Sequence, residues 1–513
     1  MMNNMNNIEK IPQEKFAFVQ LDSRLSDKKL ETKARGYFAD AMLRFSKNKS
    51  SVVAAWILLF LLLYAVLAPV ISPYTAQDKD DVYTNAPAYV RWVSDLGIGI
   101  LDGARTLPAN ETDMNYWRGI GEETGYAPLI KVVGETVELV KVRGQMVERK
   151  SYTIETNRYY ETGIVYRTMT IEAFNALQDW QNETGIQVIF PYVEVENMEG
   201  INKNVAANLW YKTDSKGAAV LDKDGNFIPV YSTNKEAEAA PYYSLRIEGD
   251  DGSYAYSKEK SGAVHARVCY YNLYQYNNGT EPMYLMGTNS LGQDLFCAIG
   301  IGARFSLIFA VLVSSINMFL GTMYGAVQGY YGGWVDMVLD RIVDILSGVP
   351  FIVVTTLFQL HLAQKVGVLP SFLFAFVLTG WIGMAALVRK QFYRFKSLEF
   401  VMAARTLGAG DFRLMFKHIF PNALGTIVTS CALIIPGAIS SETSMTYLGI
   451  VDLTTYAGST IGTLLSTGQA SMTTAPHGMF WPSLFFALLM ISFNLFGNGL
   501  RDAFNPSTRG ADD

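Results

Sequence analysis

Six long apolar runs constrain this chain more than any other feature of its 513 residues. They occupy 51–71, 305–326, 338–362, 372–388, 424–439 and 481–500. About 20 apolar residues suffice to cross a bilayer as a helix. The pattern therefore predicts an α-helical membrane protein with six transmembrane helices, the fifth extending beyond 424–439 at both ends. A signal peptide would lie nearer the amino terminus and end in a small-residue site. Here about fifty residues precede the first run, including Arg44, Lys47 and Lys49. The run reads as an uncleaved signal-anchor helix with its amino end inside. Alternation then leaves both termini and the loops near Tyr330 and 394–418 cytoplasmic, and places 72–293 outside. Arg389, Lys390, Arg394, Lys396, Arg405, Arg413 and Lys417 all fall on the cytoplasmic side, where basic residues accumulate. Charged residues make up 17% of the chain, against roughly a quarter in soluble domains, which argues against an ordinary soluble enzyme. Lipid is the expected surrounding, and a net charge of −5 gives no case for nucleic acid.

The stretch 72–293 has no spanning run. Residues 131–140 and 264–270 alternate like strands. Residues 220–231 read as a hairpin around Asp224 and Gly225. Thr170 is placed to cap a helix carrying Phe174 and Leu177 on one face and stopping at Gly185. The segment is rich in tyrosine, as at 270–276, and core packing is the safer account of most single tyrosines, since aromatic residues favour strands. These patterns predict an α+β extracytoplasmic domain of about two hundred residues, an ordinary domain size, inserted between helices 1 and 2. Asp222, Asp224 and Asn226 lack the closing glutamate of a calcium loop and are read as a turn. Cys269 and Cys297 both fall on the outer side, where they either pair or stay free. The three cysteines and four histidines form no cluster that suits a metal, and no GxxxxGK[ST] phosphate loop is present.

The loop 399–421 reads EFVMAARTLGAGDFRLMFKHIFP. It combines paired small residues Ala403 and Ala404, then Gly408, then His418, Ile419, Phe420 and Pro421. It resembles the cytoplasmic loop by which permease subunits of bacterial ABC importers touch their ATPases: Glu-Ala-Ala, three residues, Gly, nine residues, an aliphatic residue, any residue, Leu and Pro. Three further stretches carry the likeness. Residues 286–294 resemble that family's Gly-Thr-Asp-x-x-Gly-Arg-Asp entry to the second helix, 329–336 its tight turn between helices two and three, and 494–502 its carboxy-terminal signature. Over 37–71 and 287–509 the chain resembles the C-type permease subunit of oligopeptide, dipeptide and nickel importers. It departs at Met402, where glutamate is usual and Glu399 lies three residues earlier on the same helical face. It departs also at Asn289, Gln293 and Asn498, and in the large domain itself.

The resemblance implies a domain order of cytoplasmic segment 1–50, first helix 51–71, extracytoplasmic domain 72–293, permease core 294–500 with its coupling loop at 399–421, and cytoplasmic tail 501–513. It implies a non-catalytic subunit of the bacterial cytoplasmic membrane, moving oligopeptides or dipeptides by alternating access. Its partners would be a second homologous permease, two ATPase subunits that bind ATP and Mg, and an extracytoplasmic substrate-binding protein. This chain itself would bind no cofactor. Glu399, Met402, Ala403, Ala404, Gly408, Arg413, His418 and Pro421 would meet the ATPase, a short helix laid in a groove being a common recognition mode. Glu442, Asp344 and Pro436 are candidates for the path or a gate. Glu442, acidic near membrane depth, either faces that path or caps a short helix after it. Asp340, Arg341 and Asp344 start the third helix and either gate it or pair at its end. Pro350, Pro421, Pro436 and Gly437 either hinge helices or pack. Another solute of the same family, such as a nickel chelate or a sugar, and a peptide-sensing membrane receptor are the alternatives.

Overall fold

The computed structural model describes residues 37–75, 77–142, 145–195, 201–214, 216–229, 244–246 and 254–504. The terminal stretches 1–36 and 505–513, expected to be cytoplasmic, lie outside them. Helix α1 (Tyr37–Lys47) leads into α2 (Lys49–Ile71). Between them the Asn48 side chain accepts from the Ser51 N–H, one of the donors that a helix start leaves unpaired. Because α2 is apolar all round, slim side chains decide which stripe packs. Ser51, Ala54, Leu58, Leu61, Ala65 and Ala68 are buried at three- and four-residue spacing, while Trp56, Phe60 and Val70 face outward.

Helix α3 (Leu295–Tyr331) has 37 residues, about 55 Å at 1.5 Å per residue. That exceeds the roughly 30 Å of bilayer hydrocarbon, so α3 links structure at both of its ends. Asp294 caps its start, accepting from the N–H groups of Phe296 and Cys297. Gly332, at φ +65°, ends it, and the chain turns directly into α4 (Gly333–Ser347).

The single span expected over 338–362 does not form. Pro350 has no N–H, disfavours helical backbone in the residue before it, and stands at ψ 131° as the cap of a new helix. Helix α4 stops at Ser347, and a shorter apolar helix, Phe351–Val366, follows. Next come α5 (Val368–Phe395), α6 (Glu399–Thr406), α7 (Asp411–Tyr447) and α8 (His477–Phe504). Among the described residues five helices, α2, α3, α5, α7 and α8, are long and apolar enough to cross a membrane. Their shared core includes Leu61, Phe309, Phe372, Ile439 and Leu489.

An α+β unit separates α2 from α3. Strands β1 (Ala104–Ala109), β2 (Leu129–Val142) and β3 (Gln145–Asn157) form an antiparallel sheet in the order β1-β3-β2. The others are β4 (Ile164–Met169), β5 (Ile189–Phe190), β6 (Val193–Val195), β7 (Ser244–Arg246), β8 (Ser257–Lys260) and β9 (Ala263–Cys269). β9 pairs with β4, β5 and β8, and β6 with β7. Fully buried Arg267 on β9 donates to Glu123 at 2.7 Å and to the Ala207 carbonyl at 2.8 Å. This buried pair fixes β9 to the helix Glu111–Thr124, as a buried charge requires.

Both expected strands are present, but the tyrosine run after the second is not strand. It forms the helix Tyr270–Asn278, closed by Gly279 at φ +69°. The helical turn brings Tyr271 and Tyr274 to the buried side, where they join Tyr83, Tyr89, Tyr159 and Tyr284 in one core. Rings stack at 4.4 Å for Tyr89 and Tyr159 and at 4.7 Å for Tyr74 and Tyr284. Burial pushes the Tyr83 and Tyr159 phenols well above their usual range, so they remain neutral. Tyr83 donates to the Tyr159 carbonyl and Tyr159 to the Pro87 carbonyl, as buried phenols need.

The helix capped by Thr170 runs Ile171–Thr184 and ends at Gly185, φ +70°. Thr170→Ala removes the bond to the Ala173 N–H and should cost about 1 kcal/mol locally. The expected outcome is faster amide exchange at Ala173 with the rest of the unit unchanged. Asp222 does form a turn, accepting from the N–H groups of Asp224 and Asn226. Its flanks meet through an isolated bridge between Leu221 and Phe227; residues 230 and 231 of the expected hairpin lie outside the described set. Cys269 and Cys297 are both free and buried, so they do not pair.

Candidate functional site

The two ends of α3 carry different structures. At its start, segment 286–294 seats the α+β unit on the helices. Thr288 N–H donates to the Ala86 carbonyl and Asp80 N–H to the Gly292 carbonyl. Gly292, at φ +71°, lies against the Asp80 backbone so closely that a Cβ would collide with it. Asn289 and Gln293, the departures in this segment, are both buried and bonded to each other at 2.9 Å. The pair carries no charge and satisfies itself inside the segment.

At the other end of α3 lies the loop 399–421. Helix α6 buries Val401 alone. After it, Gly408 takes φ +85° with open space around its Cα. The chain then enters α7 through a π turn at Leu414–Ile419, which buries Leu414, Met415 and Ile419. These residues pack with Ala326, Tyr330, Met384, Val388 and Phe392 on α3 and α5. One face of the loop is therefore anchored. The other leaves Leu407 at 89%, Phe412 at 72% and Met402 at 54% exposure, large apolar side chains that single-subunit packing does not account for.

Glu399 and Ala403 are also exposed on α6, and Ala404 packs inward. Arg413 and Pro421 are exposed. His418 lies in the π turn, its carbonyl accepting from Asn422 at 2.7 Å. The loop residues singled out from the sequence are thus together, but what holds them was missed. The Tyr330 hydroxyl donates to Asp411 at 2.6 Å and accepts from Arg405 at 3.3 Å. Lys396 donates to the Gly329 carbonyl at 3.1 Å. Behind them Arg389 bridges Asp336 at 2.6 Å and Asp340 at 2.7 Å, with the Tyr393 hydroxyl on Asp336 at 2.6 Å. Tyr330 lies 81 residues from Asp411, and no sequence periodicity joins them.

The path candidates separate. Glu442 caps no following helix. It lies inside α7, fully buried, and accepts from the Ser306 hydroxyl of α3 at 2.7 Å. Asp344 and Asp340 lie within α4 and not at its start. Among the described residues Asp344 pairs only with Arg341, at 2.9 Å and exposed, an arrangement worth little. Pro436 is buried inside α7. The cleft in this region, about 350 Å³, is lined by Asn317, Phe376, Gly380, Ile434, Gly437 and Ser441; Glu442, Asp344 and Pro436 are not on its wall.

Residues 318–510 match the family described as binding-protein-dependent transport system inner membrane component. Residues 36–88 match the N-terminal transmembrane domain of oligopeptide transport permease C. Residues 89–317 fall outside both matches. The oligopeptide transport system permease protein OppC of Bacillus subtilis is 37% identical over 238 residues, 46% of this chain and 76% of that protein. The dipeptide transport system permease protein DppC of the same organism is 35% identical over 224 residues, 44% of this chain and 68% of that protein. OppC of Haemophilus influenzae is 36% identical over 229 residues, 45% of this chain and 72% of that protein. The fold is that of a helical membrane permease. This chain belongs to the family of binding-protein-dependent transport system inner membrane components.

Proposed function

We propose that the chain is the permease subunit of an ATP-driven importer that carries oligopeptides or dipeptides across the bacterial cytoplasmic membrane. The observation that carries this reading is the loop 399–421, anchored on one face and apolar on the other. The oligopeptide and dipeptide permeases among its relatives support the substrate class. In this reading both termini and the loop are cytoplasmic, the α+β unit is extracytoplasmic, and α4 with Phe351–Val366 supplies the sixth crossing. The core spans 294–500. Glu399, Met402, Ala403, Ala404, Gly408, Arg413, His418 and Pro421 form the surface that meets an ATPase.

The chain works beside a second related permease, two ATPase subunits holding ATP and Mg, and an extracytoplasmic binding protein that docks on the α+β unit. It does no covalent chemistry. Closure of the ATPase pair moves the loop, and the helices rock between inward and outward states. The cleft at Gly437 and Ser441 faces the substrate path, and Glu442 serves to hold α7 on α3. The test is purification of the chain in mild detergent with partners identified by mass spectrometry. A second permease, ATPase chains and a binding protein are expected. Recovery of the chain alone, or with a signalling enzyme, would overturn the reading.

A further inference from the structure

Helix α4 is joined to its neighbours in an unusual way. Of its 15 residues only Asp336 is buried, and Trp334, Met337, Val338, Ile342 and Ile345 are all exposed. Polar contacts hold it instead. Asp336 and Asp340 meet Arg389, the Tyr324 hydroxyl donates to the Leu339 carbonyl at 2.7 Å, and Gln328 reaches Asp340 at 3.2 Å. Tyr330, 7% exposed, lies in the last turn of α3, two residues before Gly332, where the chain turns into α4. Its hydroxyl sits between an acid at the start of α7 and a base at the end of α6.

A phenol that donates to a carboxylate and accepts from a guanidinium makes two charge-assisted hydrogen bonds. It holds the loop and the α3–α4 turn in a fixed relation. We infer that Tyr330 is a positioning residue: its hydroxyl, bonded to Asp411 and Arg405, ties the 399–421 loop to the α3–α4 turn, so that movement of the loop is delivered to α4. This rests on the reading that the loop meets an ATPase. The apolar contacts of Val401, Leu414 and Ile419 hold the loop in place without this bond. The bond decides whether α4, which fully buries no apolar side chain, follows it.

The experiment uses the assembled complex in nanodiscs. Cys431, the half-exposed thiol, is replaced by serine, and spin labels are placed at Ile345→Cys on α4 and Val53→Cys on α2, both exposed. The label-to-label distance is measured by double electron–electron resonance with and without ATP and Mg. The parent complex should show an ATP-dependent shift. Tyr330→Phe should retain bound ATPase subunits and ATP hydrolysis, with the shifted population reduced about tenfold, the size expected for a lost hydrogen bond to a charged group; Asp411→Leu, measured on complexes that still hold their ATPase subunits, should reduce it likewise. Asp411→Asn, which keeps an acceptor for the phenol, should restore the shift. An undiminished shift in Tyr330→Phe or Asp411→Leu overturns the inference, as does a parent complex whose α4 distance ignores ATP. Should Tyr330→Phe fail to assemble, the Asp411 pair decides. Failure of the underlying reading is seen separately, as a parent chain that recovers no ATPase; the inference falls with it.

Discussion

Gly408→Glu should leave the subunit inserted and folded while abolishing its association with ATPase. Gly408 adopts φ +85° in open space, so the substitution meets no internal clash. It acts in two other ways. A side chain at this backbone angle costs on the order of 1 kcal/mol or more, which reshapes the link between α6 and α7. It also sets a charge beside Leu407, exposed at 89%, on the surface proposed to be covered by the partner. Uptake should fall on the order of a hundredfold, the scale at which a central interface contact is lost. Gly408→Ala separates the causes, since it keeps the strain and omits the charge, and should retain most activity. Unimpaired uptake by Gly408→Glu, with normal amounts of protein in the membrane, would remove the loop from the ATPase contact.

The second large effect is expected at Gly325→Val. Gly321, Gly325 and Gly329 fall at four-residue intervals along α3, and a Cβ at each would sit closer than 3.0 Å to the backbone of α5 at Trp381, Ala385 or Arg389. Small residues at this spacing let two helices approach backbone to backbone, the device membrane helices use where lipid supplies no hydrophobic drive. Neither backbone can yield locally without moving a helix, so the expected cost is about 3 kcal/mol or more, in the range of severe core overpacking. The measurement is the fraction of monodisperse protein surviving a temperature ramp in detergent, monitored by size-exclusion fluorescence. A midpoint unchanged from the parent would show that the α3–α5 seam opens without cost. Because Arg389 on this seam also holds Asp336, a displaced α5 should loosen α4 as well.

The glycine seam is visible in the sequence as three glycines four residues apart, two of them inside the apolar run 305–326. Much else was read correctly, because it depends on neighbours in the chain. Thr170 and Gly185 bound their helix, since a hydroxyl cap and a left-handed glycine act within one turn. The strands at 131–140 and 264–270 follow from alternation, the second ending one residue early at Cys269. The tyrosine run at 270–276 became helix because tertiary burial overrode a β preference. The span expected at 338–362 breaks at Pro350, which the sequence left open as a hinge or a packing residue and which the structure makes a helix boundary.

The sequence by itself determined that the chain is built on membrane-spanning helices, where the polar unit is inserted, and that 399–421 is set apart from both. Each of these depends on composition and spacing along the chain, since bilayer thickness and helical rise act on consecutive residues. The tertiary structure alone decided that Glu442 joins α7 to α3 through Ser306, that Tyr330 meets Asp411 and Arg405, and that Arg389 holds α4 through Asp336. These contacts join residues 53 to 136 positions apart. A buried polar group must find a partner, but which one it finds depends on how the helices pack.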